Sequence, residues 1–242
     1  LVILLEGGLS VATTVFLSRE LARGDRAGAS ATFLITGGGI GIMALVAALM
    51  LMMGSDIFGA RFPGLTDAER RLAVMAVWWS GIAVALRLVQ QLLVGVEQAF
   101  QRYGPMNAIT TTNAVLTSVV LLLVVWREGT VVGMMQAQCV LGALVLLVHW
   151  GYGGRVLKGK LGRCSFERSR ARDIFRFCLM SWGVSLGSRL FTLFDRFVVG
   201  ALLGTAALGV YGAIAGIAAQ INALSALPSQ PLVPSVAAAR EA

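Results

Sequence analysis

Apolar residues run through the chain in long stretches separated by short polar turns. Seven stretches can be marked, at 1–17, 29–53, 72–96, 106–126, 130–152, 174–204 and 206–227. All but the first hold about 20 residues or more, enough for a helix to cross an apolar layer of ~30 Å. Strand-like alternation of polar and apolar positions is absent, so a barrel is not indicated. The pattern predicts an all-α fold, a polytopic transmembrane bundle of about seven helices. The first stretch opens at Leu1 within apolar sequence, with neither Met nor a charged region before it, and reads as a fragment without a signal peptide. The last closes in Pro228, Pro231 and Pro234.

Within these stretches the polar positions are ordered. In 174–204, Ser181, Ser185, Ser188, Arg189, Thr192, Asp195 and Arg196 recur at steps of three, four and seven, on one helical face. Leu179, Leu186, Leu190, Leu193, Phe197 and Val198 occupy the opposite face. Charge at membrane depth is costly and marks a partner or a hydrated path, so Ser185, Arg189 and Thr192 read as lining a lumen. In 72–96, Arg87 shares a face with Ser80, Gln91 and Gln98 and lies too deep for easy snorkelling. Thr110, Asn113 and Thr117 add a stripe for which packing and lumen roles weigh equally. Glu6 fits either a pair with a buried Arg or a coupling-proton site. Asp195 with Arg196 fits a local charge pair near one interface, or a gate or ion-coupling site.

Composition supports the membrane reading: the chain is 57% hydrophobic and 13% charged, with mean hydropathy +0.80, against about 25% charged in soluble domains. Its net charge of +8 would suit nucleic acid, but the distribution of basic residues gives a different account. If the first helix ends inside the cell, thirteen of the twenty Lys and Arg fall on inner loops, against four outside (Arg61, Arg70, Arg71, Arg127) and three within spans. Basic loops beside anionic lipid then explain the charge without nucleic acid. The longest break, 153–173, is basic and Gly-containing, and reads as a linker between helical bundles.

Other motifs carry little chemistry. Gly154 to Lys160 spells GxxxxGK, but Leu161 stands where a phosphate loop needs Ser or Thr. Gly37, Gly39 and Gly41, and the pairs Gly183/Gly187, Gly200/Gly204 and Gly212/Gly216, read as helix-packing positions. Cys139, Cys164 and Cys178 lack pairing or metal spacing. His149, the only histidine, sits beside Trp150 at an expected interface. No catalytic constellation, metal cluster or cofactor motif is recognisable, and an enzyme is not expected.

Three segments carry a family resemblance. DRFVVGALLGTAALGVYGAIAGIAAQI (195–221) is similar to the segment of Wzx-type polysaccharide flippases in which an Asp ends one helix and a Gly-x-Tyr opens the next. LEGGLSVATTVFLSREL, ending at Leu21, resembles their second helix, and VGVEQAFQRYGPMN (94–107) the turn after their fourth. These proteins belong to the MOP (multidrug/oligosaccharidyl-lipid/polysaccharide) exporter superfamily. The resemblance implies a transporter of 12–14 helices in two bundles. Residues 1–153 would form part of the first bundle (helices 2–6), 154–173 a basic cytoplasmic linker, and 174–242 the start of the second (helices 7–8).

The implied function is to flip a polyprenyl-pyrophosphate-linked oligosaccharide across the bacterial inner membrane by alternating access. Arg87 and Arg189 would hold the pyrophosphate, with Gln91, Ser185 and Thr192 alongside. Glu6, Asp195 and Arg196 would be gate or ion-coupling candidates. Implied partners are membrane lipids, H+ or Na+ as coupling ion, and glycan polymerases. A MATE-like drug or cation antiporter would favour acidic cavity residues, whereas the deep charges here are mostly Arg. A membrane glycan polymerase or ligase would be expected to carry a large outer loop, and 54–71 is short.

Overall fold

The computed structural model of the chain describes residues 6, 8–60, 66–127, 129–162, 167–226 and 232–239. The described residues form helices α1 (Leu9–Arg23), α2 (Arg26–Ala60), α3 (Asp67–Ala99), α4 (Tyr103–Arg127), α5 (Val131–Leu157), α6 (Arg168–Ala226) and α7 (Leu232–Ala239). The fold is all-α, and five of the helices are long and apolar enough to cross a membrane. The chain is therefore a multi-pass membrane protein. Arg61, Arg163, Cys164, Pro228, Pro231 and Arg240 lie outside the described residues.

Helices overrun the apolar stretches that announce them. Segment 29–53 becomes Arg26–Ala60, and segment 1–17 continues as helix to Arg23. The polar boundary marks where apolar surface stops being needed; backbone hydrogen bonding continues until a capping signal stops it. Gly24, at φ 70°, supplies that signal for α1, and Asp25 Oδ1 accepts from the Gly28 N–H at 2.8 Å to open α2. Thr66 and Glu69 form a reciprocal capping box at the start of α3, and Thr130 Oγ1 accepts from Gly133 N–H at α5. The long α6 is broken at Gly204, whose φ 83° and ψ 175° suit glycine alone. That break falls at the boundary between the stretches 174–204 and 206–227. Helices α5 and α6 extend into the basic stretch 153–173, leaving 158–167 between them.

The packed unit centres on α1, which touches α2, α3, α6 and α7, while α2 against α3 makes the broadest contact. Ile40, Ala44 and Ala47 of α2 close on Leu88 and Leu92 of α3. Leu17, Ala29, Val96 and Ala99 form a second cluster, and Ala12, Ile174 and Cys178 join α1 to α6. Thr13 and Thr14 are buried because their hydroxyls donate to the carbonyls of Leu9 (2.8 Å) and of Ser10 and Gly95 (both 3.2 Å).

Close helix approach depends on Gly81 and Gly95: a Cβ there would lie 3.0 Å from Ala48 O and 2.9 Å from Ser10 O. Of the glycines expected at interfaces, Gly37, Gly39 and Gly200 do meet side chains. Among the described residues, nothing lies within 4 Å of a Cβ at Gly41, Gly183, Gly187, Gly212 or Gly216. At those five positions the described residues supply no neighbouring helix. Outward faces of α4 and α6 expose Leu122, Trp126, Val184, Phe191 and Phe197, an apolar surface suited to lipid.

Candidate functional site

Helix α4 leans on α5 and barely touches α3. The gap is a polar cleft, and Arg87 stands at its middle. Its Nη1 donates to Oε1 of the buried Gln90 at 3.0 Å. On one side of Arg87 lies a cavity of about 380 Å3 lined by Ser80, Asn113, Thr117 and Gln138. On the other lies one of about 420 Å3 lined by Gln91, Gln98, Asn107 and Thr110. The expected face of Ser80, Arg87, Gln91 and Gln98 thus exists, and the stripe of Thr110, Asn113 and Thr117 forms the facing wall. No carboxylate lines either cavity among the described residues. Arg87 is itself exposed, and the polar side chains that line the two cavities with it are neutral amides and hydroxyls. The Arg87 guanidinium can present N–H groups in parallel to an oxyanion, as a Lys could not.

The charged face of α6 stands apart from that cleft, which α3, α4 and α5 line alone. Arg189, Thr192 and Arg196 are exposed and Ser185 is half-buried. Thr192 Oγ1 donates to Ser188 O at 3.0 Å. Arg87 and Arg189 are not brought together within these residues. Asp195 accepts from the Tyr211 hydroxyl at 3.4 Å across the Gly204 break, instead of closing on neighbouring Arg196. Glu6 is buried, and its Oε1 accepts from Ser10 N–H at 3.2 Å at the start of α1.

Two ionic features escape sequence reading. At the basic end of the bundle, Arg170 of α6 bonds to Glu20 of α1 and also meets Asp25 (3.5 Å) and Glu167 (3.4 Å). Burial pushes the Glu20 carboxyl up from its usual range, against the pull of Arg170. The Gly28 N–H holds Asp25 down. The second is His149, which is not an interfacial anchor: it is fully buried, with Nδ1 2.8 Å from Oε1 of an equally buried Glu97. Val145, His149 and Gly153, all buried at steps of four, were the available signal. The exposed Trp150 points elsewhere.

Residues 1–239 match the family described as "Polysaccharide biosynthesis protein". The chain belongs to that family. The match agrees with the resemblance to Wzx-type members of the MOP superfamily. Among solved structures, one described as MATE in complex with MaD3S aligns at TM-score 0.78 and 17% identity, covering 98% of this chain and 53% of that one. A second, MATE in complex with MaL6, aligns at TM-score 0.78 and 18% identity over 98% and 52%. A third, a mutant of MATE, gives 0.77, 17%, 98% and 52%. At these identities the likeness establishes the fold. The chain spans about half the length of these structures. No curated protein sequence matches the chain closely enough to count as a relative.

Proposed function

We propose that the complete protein is a lipid-linked oligosaccharide flippase. It moves a polyprenyl-pyrophosphate-linked glycan across the bacterial inner membrane by alternating access of two helical bundles. The observation that carries this reading is the cleft around Arg87, cationic and free of carboxylates among the described residues. A pyrophosphate head group needs such a hydrated, positively charged path while its polyprenyl tail remains in lipid. The family's description, polysaccharide biosynthesis, agrees with a glycan cargo.

In this reading residues 1–153 contribute to the first bundle, 154–173 form the cytoplasmic linker and 174–242 open the second bundle. Arg87 and Gln91 contact the pyrophosphate from the first bundle; Ser185, Arg189 and Thr192 meet it from the second when the bundles rock. Glu6, Asp195 and Arg196 serve gating or ion coupling, with H+ or Na+ as the ion, and a glycan polymerase receives the product. The likeness to MATE structures keeps a cation antiporter as the second reading.

The test replaces Arg87 and Arg189 singly by Gln in the full-length protein at matched expression. Surface polysaccharide is expected to fall at least tenfold for Arg87→Gln. Undiminished polysaccharide refutes the substrate role, and export of organic cations by the unaltered protein supports the antiporter.

A further inference from the structure

A cavity of about 930 Å3 stands at the basic end of the bundle, and it shares no lining residue with the Arg87 cleft. It lies where three spanning helices begin or end: α2 at Arg26, α3 at Ala99 and α5 at Leu157. Five cations line it, Arg26, Arg102, Arg155, Lys158 and Lys160, all of them exposed. Among the described residues none of the five forms an ion pair. The two carboxylates on the same wall, Glu20 and Asp25, are already held by Arg170. Positive charge therefore gathers here without a counter-ion among the described residues.

Backbone bonds hold these charges together against their mutual repulsion. Ser30 Oγ donates to Gly162 O and accepts from Gly162 N–H, each at 2.9 Å, and Gly162 N–H also donates to Arg26 O at 3.0 Å. This clasp lays the segment after α5, which carries Lys160, against the start of α2, which carries Arg26. At the end of α3, Arg102 N–H donates to Glu97 O at 2.9 Å, and the turn places Gln101 at φ 55°. Glycine is the usual residue at such a cap; Gln101 instead adds an amide to the cavity wall.

Helix capping accounts for only part of the cluster. Arg155 and Lys158 suit the C-terminal end of α5, where the helix dipole is negative. Arg26 opens α2 and Arg102 immediately precedes α4, the positive ends of both dipoles, and neither helix has an acidic residue in its first turn. Cations there oppose the dipole, so their placement calls for an anion from outside. A guanidinium bonds two phosphate oxygens at once, and an ammonium adds a point charge. Leu21, Phe100 and Val156 supply an apolar wall beside these charges. We propose that this cavity binds a phosphate-bearing anion, its oxygens on Arg26, Arg102 and Arg155. Phospholipid head groups and soluble phosphate compounds offer the same oxygens. The ends of spanning helices lie at head-group depth, where basic pockets between helices receive such groups. The site uses none of the residues of the proposed cargo path, so it stands whichever cargo the Arg87 cleft carries.

The test uses the complete protein in neutral detergent, in two arms. In the first, phosphatidylglycerol or phosphatidylcholine with the same acyl chains is added, and bound lipid is counted by native mass spectrometry. In the second, inorganic pyrophosphate is titrated by calorimetry. Saturable binding is expected in at least one arm, with phosphatidylglycerol preferred over phosphatidylcholine in the first. Binding in the first arm alone assigns the site to a lipid head group, in the second alone to a soluble phosphate compound, and in both to their shared chemistry. Arg102→Gln combined with Arg155→Gln is expected to weaken that binding at least tenfold. Arg168→Gln combined with Arg172→Gln removes equal charge from exposed residues of α6 outside the cavity and should weaken it less than twofold. Should the first pair not fold, Lys158→Gln combined with Lys160→Gln is expected to weaken binding at least threefold. No saturable binding in either arm, or equal weakening by the cavity and α6 pairs, overturns the proposal. Binding that Arg87→Gln abolishes and the cavity pair leaves intact belongs to the cleft and overturns it as well.

Discussion

Gly95 offers the sharpest test of the packing that holds the cleft in place. A methyl added there would sit 2.9 Å from Ser10 O, 3.3 Å from Thr13 Cβ and 3.5 Å from Thr14 Oγ1. The first of these is α1 backbone, which cannot swing aside as a side chain could. Relief requires α1 and α3 to separate, stretching the 3.2 Å bond from Thr14 Oγ1 to Gly95 O and loosening Leu17 against Val96. Overpacking of this kind costs about 1–3 kcal/mol. Ala also gains about 1 kcal/mol of helix propensity over Gly, which partly hides the strain. Gly183→Ala serves as the reference, because among the described residues nothing lies within 4 Å of its Cβ, which leaves only the propensity gain. The two variants should differ by about 1–3 kcal/mol, or several degrees in melting temperature. Thermal unfolding of the complete protein in detergent measures the difference. If Gly95→Ala melts at or above Gly183→Ala, the close α1–α3 contact is refuted.

Four further outcomes are expected. Arg170→Ala leaves the nearly buried Glu20 unpaired and should cost about 1–3 kcal/mol, less than a fully buried pair because the Arg170 and Asp25 side chains are 19% and 40% exposed. Glu20 binds its proton more tightly in the fold, so stability should rise as pH falls from neutral through its titration. It should fall again as pH drops below 3.8, where the unfolded chain's Asp25 takes up a proton that the folded one resists; Glu20→Gln should flatten the first limb of a melting-temperature profile against pH. Thr66→Ala removes the hydroxyl half of the capping box, leaving the backbone N–H of residue 66 to donate to Glu69, and should cost about 0.5–2 kcal/mol, seen as faster amide exchange in the first turn of α3. Tyr211→Phe loses a long bond of 3.4 Å and should cost under ~1 kcal/mol; a larger drop in melting temperature would show that more than Gly204 closes that hairpin.

Much of the fold was legible because a bilayer imposes a simple rule: each apolar stretch must satisfy its own backbone, so runs translate into helices. The periodicity around Arg87 likewise placed Ser80, Gln91 and Gln98 on one wall, and the structure supplies Thr110, Asn113 and Thr117 as the other. What failed has a common cause. Period along one helix does not say which helix faces it. Gly81 and Gly95 carry the close contacts of the described residues without any repeat that would have announced them. His149 beside Trp150 read as an interface anchor because adjacent residues were weighed together. On a helix, adjacent residues point about 100° apart, and its partner Glu97 lies 52 residues away.

The chemistry of the Arg87 cleft bears on which cargo could use it. Two like unit charges 4 Å apart repel by roughly 4 kcal/mol at the effective dielectric of a protein surface, so a cation entering here would need a carboxylate to offset Arg87. Among the described residues none lines the cleft. For an anion the same arrangement attracts without trapping. One guanidinium supplies the charge, while Gln90, Gln91, Asn113 and Gln138 can exchange hydrogen bonds with water or ligand at little net cost. A transporter must release what it binds, and a site of many fixed cations would hold a pyrophosphate too long. In the proposed flippase, a single Arg in one wall, with a second such as Arg189 brought near only in one conformation, would let affinity change as the helices move. That difference between conformations, more than the strength of either contact, is what lets such a site load on one side and empty on the other.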